Sequence, residues 1–337
     1  MQDYQIQKLT AIFYPVYTGL VIILQTTLLF LIFKNQAKLL VNLRLYLVHI
    51  CTTQLITLIS GFLTQCRMVP NVTTVAFICN GMCTNIGRKS CFIVHLLRDA
   101  SSTANLFALV HVFYYRYTIL SHKSINRFQL YRNMIIIHLP AVFCAICQFI
   151  NPSNQDIILE ETRKFHPDYM IDENSIFGFS ELNSWSVKMM TIIFPCVLVL
   201  NPIAAFIYRR KICTLLKEYE EYSASRVQNA KSMIKGLMVQ TLLPPICFIP
   251  LFAEFFLFSK YPSANLALLE YLNSFLVILP TMLDPILSIY FVIPFRRKFI
   301  KYVISIRQCK RMSLSSDDAS RIKQITGNKK SNVFHEM

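Results

Sequence analysis

Charge is what this chain is short of. Only 15% of its 337 residues are Asp, Glu, Lys or Arg, where soluble domains carry about 25%. That deficit, beside 54% hydrophobic residues and a mean hydropathy of +0.44, excludes an ordinary soluble enzyme. It also excludes intrinsic disorder, which needs the opposite balance. Catalytic signatures are missing too: the sequence has no HExxH, no GxSxG and no Walker loop. Its single CxxC, Cys144 to Cys147, lies inside an apolar stretch without a matching pair, so helix packing accounts for it. The chain reads as a non-enzyme with no cofactor and no metal. Length rules out a small secreted disulfide scaffold despite 11 cysteines. No repeat or low-complexity linker divides the chain, and a membrane protein remains.

Seven apolar stretches are each long enough to cross about 30 Å of hydrocarbon at about 1.5 Å per residue. They cover residues 11–33, 45–63, 91–115, 133–150, 189–208, 236–258 and 266–293. The third is broken by Arg98-Asp99 and the fourth is short. The first is too long for a signal-peptide core and reads as a retained helix.

The net charge of +16 could signal nucleic-acid binding, but its distribution points elsewhere. With the N-terminus outside, segments 34–44, 116–132, 209–235 and 294–337 are cytoplasmic and hold 25 of the 34 Lys and Arg. The outer segments 1–10, 64–90, 151–188 and 259–265 hold 8. That is the positive-inside pattern. The basic excess follows one membrane face and does not gather into a nucleic-acid-reading module, so lipid, not nucleic acid, is the expected partner. The fold expected is an all-α, seven-transmembrane, GPCR-like bundle with the N-terminus outside and the C-terminus cytoplasmic. Its parts are an extracellular segment 1–10, a helical domain 11–293, a membrane-surface helix 294–310 and a cytoplasmic tail 311–337.

Prolines gather in the last three spans: Pro195 and Pro202, then Pro244, Pro245 and Pro250, then Pro280 and Pro285. Each removes a helix hydrogen bond and permits a kink. Pro244, Pro250 and Pro285, with Asp284 and Tyr290, are the expected pivot. Asp284 falls about 27 Å along its span, toward the cytoplasmic half.

Other intramembrane charges sit high. Arg98 falls about 10 Å below the outer end of span three, and Glu254 and Glu270 about 6 Å from theirs. Charge in hydrocarbon is costly and usually faces the bundle interior. Arg98, Asp99, Glu254, Glu270 and Tyr271 are therefore the candidate ligand pocket, with Arg98 meeting an anionic group or pairing with Glu254 or Glu270. The competing account is a structural salt bridge.

At the inner end of span three stand Tyr115, Arg116 and Tyr117. With Arg209, Arg210, Lys211, Arg296 and Arg297 they make the candidate G-protein face. Phe295, Phe299, Tyr302, Val303 and Ile306 fall on one helical stripe, which suits a helix on the inner leaflet, and Cys309 beyond it is a palmitoylation candidate. Asn71-Val72-Thr73 is the one glycosylation sequon. Cys66, Cys79, Cys83 and Cys91 surround the first outer loop. Their pairing is open, with Cys83–Cys91 the first choice.

Several segments resemble the serpentine receptor class delta family of nematode seven-helix chemoreceptors. They are Gln65-Cys66-Arg67, Pro70-Asn71, Gly81-Met82-Cys83, Gly87 and Cys91 in the first loop, Gln240 through Leu243-Pro244, and Leu283-Asp284-Pro285-Ile286 through Tyr290 to Pro294-Phe295-Arg296. The likeness runs from about residue 15 to 305. It implies a chemosensory receptor in the plasma membrane of sensory-neuron cilia, binding a small-molecule ligand and signalling through a heterotrimeric G protein. The general receptor Asp-Arg-Tyr is Tyr115-Arg116-Tyr117 here, and Asn-Pro-x-x-Tyr becomes Asp284-Pro285 with a wider gap to Tyr290. The 151–188 loop has no cysteine, so the usual receptor disulfide from span three to that loop cannot form. The rival readings are a ligand-gated cation channel of inverted topology and a small-solute transporter.

Overall fold

The computed structural model describes residues 2–34, 41–121, 126–150, 154–169, 171, 176–218, 224–261 and 266–305. The terminal tail from 306, with Cys309 and Ile306, lies outside the described residues. Seven long helices make the bundle: α1 (Gln2–Lys34), α2 (Val41–Thr64), α3 (Arg88–Leu120), α4 (Arg127–Ile150), α6 (Trp185–Glu218), α7 (Ala224–Lys260) and α8 (Ala267–Phe291). A short α5 (Gln155–Phe165) and three strands, β1 (Cys66–Pro70), β2 (Val75–Cys79) and β3 (Ile176–Phe179), form a cap at one end. At the other, a final helix α9 covers 293–305.

Among the described residues six helices are both long and apolar enough to cross a membrane. The seventh, α3, has the length, at 33 residues, but carries Arg98, Asp99 and a run of Ser, Thr and Asn. Its place in the bundle explains the difference. It packs against α2, α4, α6 and α7, so neighbouring helices, not lipid, cover its polar groups. The helices facing lipid must instead be apolar and satisfy every backbone group internally. Alpha-helix one starts at Gln2, well before the apolar stretch, and Gln7 donates to Asn80 of the cap at 3.1 Å.

The prolines lie inside continuous helices, including Pro15 of α1 and Pro140 of α4. Pro285 has no N–H, so the carbonyl of Thr281 one turn earlier loses its helical donor. Gln25 of α1 fills the vacancy, donating to the Thr281 oxygen at 3.0 Å. The same Gln25 donates to Gln54 of α2 at 2.7 Å, and Gln54 donates to Asp284. From α7, Gln240 donates to the Asp284 carbonyl and to Ser288 Oγ, both at 3.0 Å. One polar chain thus ties α1, α2, α7 and α8 through the bundle centre. Asp284, 2% exposed, is a common point of contact for α2 and α7 on α8.

The cap is the part the apolar pattern does not announce. The sheet order is β1-β2-β3, antiparallel throughout. Successive residues of β2 alternate faces. Val75, Phe77 and Cys79 pack on the top of α3, with Cys83, Cys91 and Phe177. Ala76 and Ile78 pack on Ile158 of α5, Tyr169 and Ala267 of α8. Burial on both faces makes β2 apolar along its whole length. Two disulfides fix this end: Cys66–Cys79 joins the facing residues of β1 and β2, and Cys83–Cys91 ties the preceding turn to α3. The 151–188 connection, expected to be a polar loop, contributes α5 and β3.

Candidate functional site

Beneath the cap the candidate pocket residues fall into separate clusters. On α3, Arg98 meets its own neighbour: Nη2 and Nε lie 3.2 Å from Asp99 Oδ1. The other oxygen of Asp99 accepts from Gln148 of α4 at 3.2 Å and lies 3.3 Å from His95 Nε2. Arg98 therefore answers Asp99, not Glu254 or Glu270. Glu270 of α8 is met by Arg67 of β1 at 3.3 Å and by the Tyr169 hydroxyl at 2.8 Å. The Arg67 guanidinium is held between two rings, 4.4 Å from Tyr169 and 4.6 Å from Tyr271, an arrangement that stabilises a desolvated cation. Tyr271 thus grips the cap. Glu254 of α7 accepts from the Asn273 amide of α8.

Arg67, Tyr169 and His166 are the side chains of this cluster that sequence reasoning did not single out as site residues. Arg67 is 1% exposed, and nothing in a short loop between two cysteines signals a buried cation. His166 stacks on Tyr169 at 4.8 Å and on Phe258 at 5.8 Å, and its Nε2 lies 3.4 Å from the Pro70 carbonyl. Burial, and then the Arg67 charge, push its pKa below the ordinary histidine value, while the Pro70 carbonyl opposes them. Gln25 and Gln54 did leave a trace, as amides inside uncharged apolar runs.

Asn71 sits at the turn between β1 and β2, 4% exposed. Its Nδ2 donates to Thr74 Oγ1 at 2.8 Å and to Thr162 Oγ1 of α5 at 2.9 Å. That nitrogen is the atom a glycan would occupy. In this fold it pins α5 to the hairpin, which is a physical reason against modification of the sequon. Glu161 adds a second pin, accepting from the Thr73 backbone N–H at 2.9 Å and from its hydroxyl at 3.0 Å.

At the opposite end Tyr115 is buried against Tyr46, ring centroids 5.3 Å apart. The Arg116 guanidinium reaches across to Met233 Sδ of α7 at 2.7 Å. It borders a water-sized cavity of about 20 Å³ with Leu43, Val112, Gly236 and Gln240. Tyr117 carries the Lys211 ammonium 5.6 Å above its ring, and Arg296 lies 5.9 Å from the Tyr290 ring. Arg209, Arg210, Lys211 and Arg297 are exposed. Helix α9 turns back on α1: Lys298 donates to the Lys34 carbonyl at 2.6 Å, Tyr302 packs on Phe30 at 5.5 Å, and Phe295 enters the core at 1% exposure. The apolar stripe of this segment therefore begins inside the protein, not only in the leaflet.

Seven membrane-spanning helices, with a polar central helix, define a serpentine seven-helix membrane protein. Comparison with known proteins assigns it further. The family described as "Serpentine type 7TM GPCR chemoreceptor Srd" matches residues 10–301, and the chain belongs to that family. Among its relatives in Caenorhabditis elegans, Serpentine receptor class delta-50 is 33% identical over 299 residues, covering 86% of this chain and 88% of the relative. Serpentine receptor class delta-51 is 29% identical over 301 residues, 89% of this chain and 88% of the relative. Serpentine receptor class delta-59 is 26% identical over 312 residues, 91% and 95% of the two chains.

Proposed function

We propose that this chain is a plasma-membrane chemosensory receptor that binds a small ligand under the cap and signals through a heterotrimeric G protein at the basic end. The N-terminus and cap are extracellular and the basic segments cytoplasmic. Two disulfides at the cap support that orientation, since such bonds persist in oxidising surroundings. So does the gathering of Lys and Arg at the far end.

One observation carries the reading. Helix α7 holds Glu254 beneath the cap and Met233 against Arg116, 21 residues apart in sequence, about 32 Å along a helix. Pro244, Pro245 and Pro250 lie between them. A ligand that shifts the upper part of α7 relative to α8 acts on a helix whose hydrogen bonding is interrupted midway, and its lower end covers the arginine. Binding then selects a state in which Met233 leaves Arg116 and the basic face opens.

Two measurements test this. Arg116→Ala, expressed at matched surface levels, is expected to reduce ligand-evoked second messenger by at least about tenfold; an unchanged response removes Arg116 from coupling. Glu254 and Glu270 substituted singly are expected to shift the ligand dose–response, and unchanged sensitivity in both removes the pocket. Ligand-evoked current in cells without G protein would favour the channel reading instead.

A further inference from the structure

We infer that Glu254 and Asn273 seat the protonated amine of the ligand, so that the ligand is a small organic cation carrying N–H donors. This rests on the reading that the ligand binds beneath the cap.

Two of the carboxylates beneath the cap are answered by a guanidinium. Arg67 faces Glu270 and Arg98 faces Asp99. Glu254 is different: it is 0% exposed, and the partner shown for it is the neutral Asn273 amide. Its Oε1 is buried with no hydrogen-bond donor, and so is Oδ1 of Asn273, the other half of the pair. Because Asn273 presents its NH2 to Glu254, its oxygen is left as a second acceptor. Two acceptor oxygens of one buried pair thus lack donors, and each such group is costly when left unsatisfied.

An ammonium head answers all of this at once. It supplies two or three N–H donors and cancels the buried carboxylate in a charge-assisted contact. A quaternary ammonium has no N–H to give and does not fit the pattern. One helical turn farther from the cap, Leu251 of α7 and Val277 of α8 pack on Leu106, Leu198 and Phe248. Phe194 meets Phe248 edge-to-face at 4.8 Å. An apolar body next to the amine would therefore meet aliphatic and aromatic side chains, the usual composition of a small-molecule site.

The test uses the full-length receptor, purified into phosphatidylcholine nanodiscs, with thermal unfolding as readout. The probes are methylamine, butylamine and 2-phenylethylamine, each beside its neutral alcohol and its carboxylic acid. At least one amine is expected to raise the unfolding midpoint saturably while its alcohol and acid do not. Glu254→Gln keeps the shape and removes the charge, and should need at least about tenfold more amine. Glu254→Asp keeps the charge and should keep the preference for amine over alcohol. No effect from any amine overturns the inference, as does an equal shift in wild type and Glu254→Gln; the latter means a proton already satisfies the pair. Stabilisation by sodium chloride over choline chloride, with no amine effect, marks an alkali-ion site and also overturns it. The readout needs no G protein. Amine binding without second messenger would break only the signalling proposal, and G-protein activation by an acid or a neutral ligand would break only this inference.

Discussion

Removing one half of a buried ion pair strands the charge of the other. Arg67→Ala would leave Glu270 with the Tyr169 hydroxyl beside it and no guanidinium between the two rings. A loss of about 3–5 kcal/mol is expected for such a break, seen as a lower unfolding midpoint in nanodiscs. Arg67→Lys should recover only part of it, because an ammonium cannot stack between two aromatic planes as a guanidinium does. His166 contributes with the opposite sign of charge dependence. Its pKa is held down in the fold, so the unfolded cap binds the proton more readily. The stability it adds is complete above the ordinary histidine value of about 6.5 and is lost as pH falls below it. Amide hydrogen exchange in β1 and α5 should therefore quicken on acidification, and His166→Phe should flatten that dependence. For Asn71 the expected result is no mobility shift on glycosidase treatment. Asn71→Ala should loosen α5 by about 1 kcal/mol for each hydrogen bond lost.

At the level of elements, α7 and α8 meet closely at the basic end. A Cβ placed on Gly236 would come within 2.5 Å of Phe291 Cβ, so the two helices meet there only because position 236 has no side chain. Gly236→Leu should force them apart, at a cost of about 1–3 kcal/mol, and raise ligand-independent signalling by freeing Met233 from Arg116. The spans themselves were legible from apolar length, because a helix in lipid has nowhere else to put its backbone groups. Their ends were less so: α1 and α6 run well past their apolar stretches. The strands stayed hidden, since five residues buried on both faces look like any short apolar run. Arg98 with Asp99 was legible as a buried charge but not as a pair, because adjacent residues on a helix do not ordinarily face each other. Glu270 found its partner in a strand about 200 positions away, and no local pattern encodes such a distance.

For the whole molecule, the proposed orientation rests on where positive charge gathers. A reporter fused after Met337 is expected in the cytosol, protected from protease in intact cells, and cap cysteines should resist an impermeant thiol reagent until reduced. The family membership and the bundle were legible together, since the residues that carry the resemblance are those the structure uses. Cys66 and Cys91 bond within the cap, Gln240 reaches Asp284, and Pro285 frees a carbonyl for Gln25. The candidate site was only half legible. Its buried carboxylates could be named, but not their division among separate partners, which depends on how the cap packs on the helices.

The polarity of α3 has a consequence for how the protein is made. A ribosome-bound translocon releases each new segment into lipid according to its own greasiness. This helix would be judged too polar to leave alone, so it has to wait in the channel for α2 and α4 to escort it. Chains cut shortly after residue 120 should then mislocalise α3 and be cleared by quality control, whereas chains cut after residue 150 should keep it.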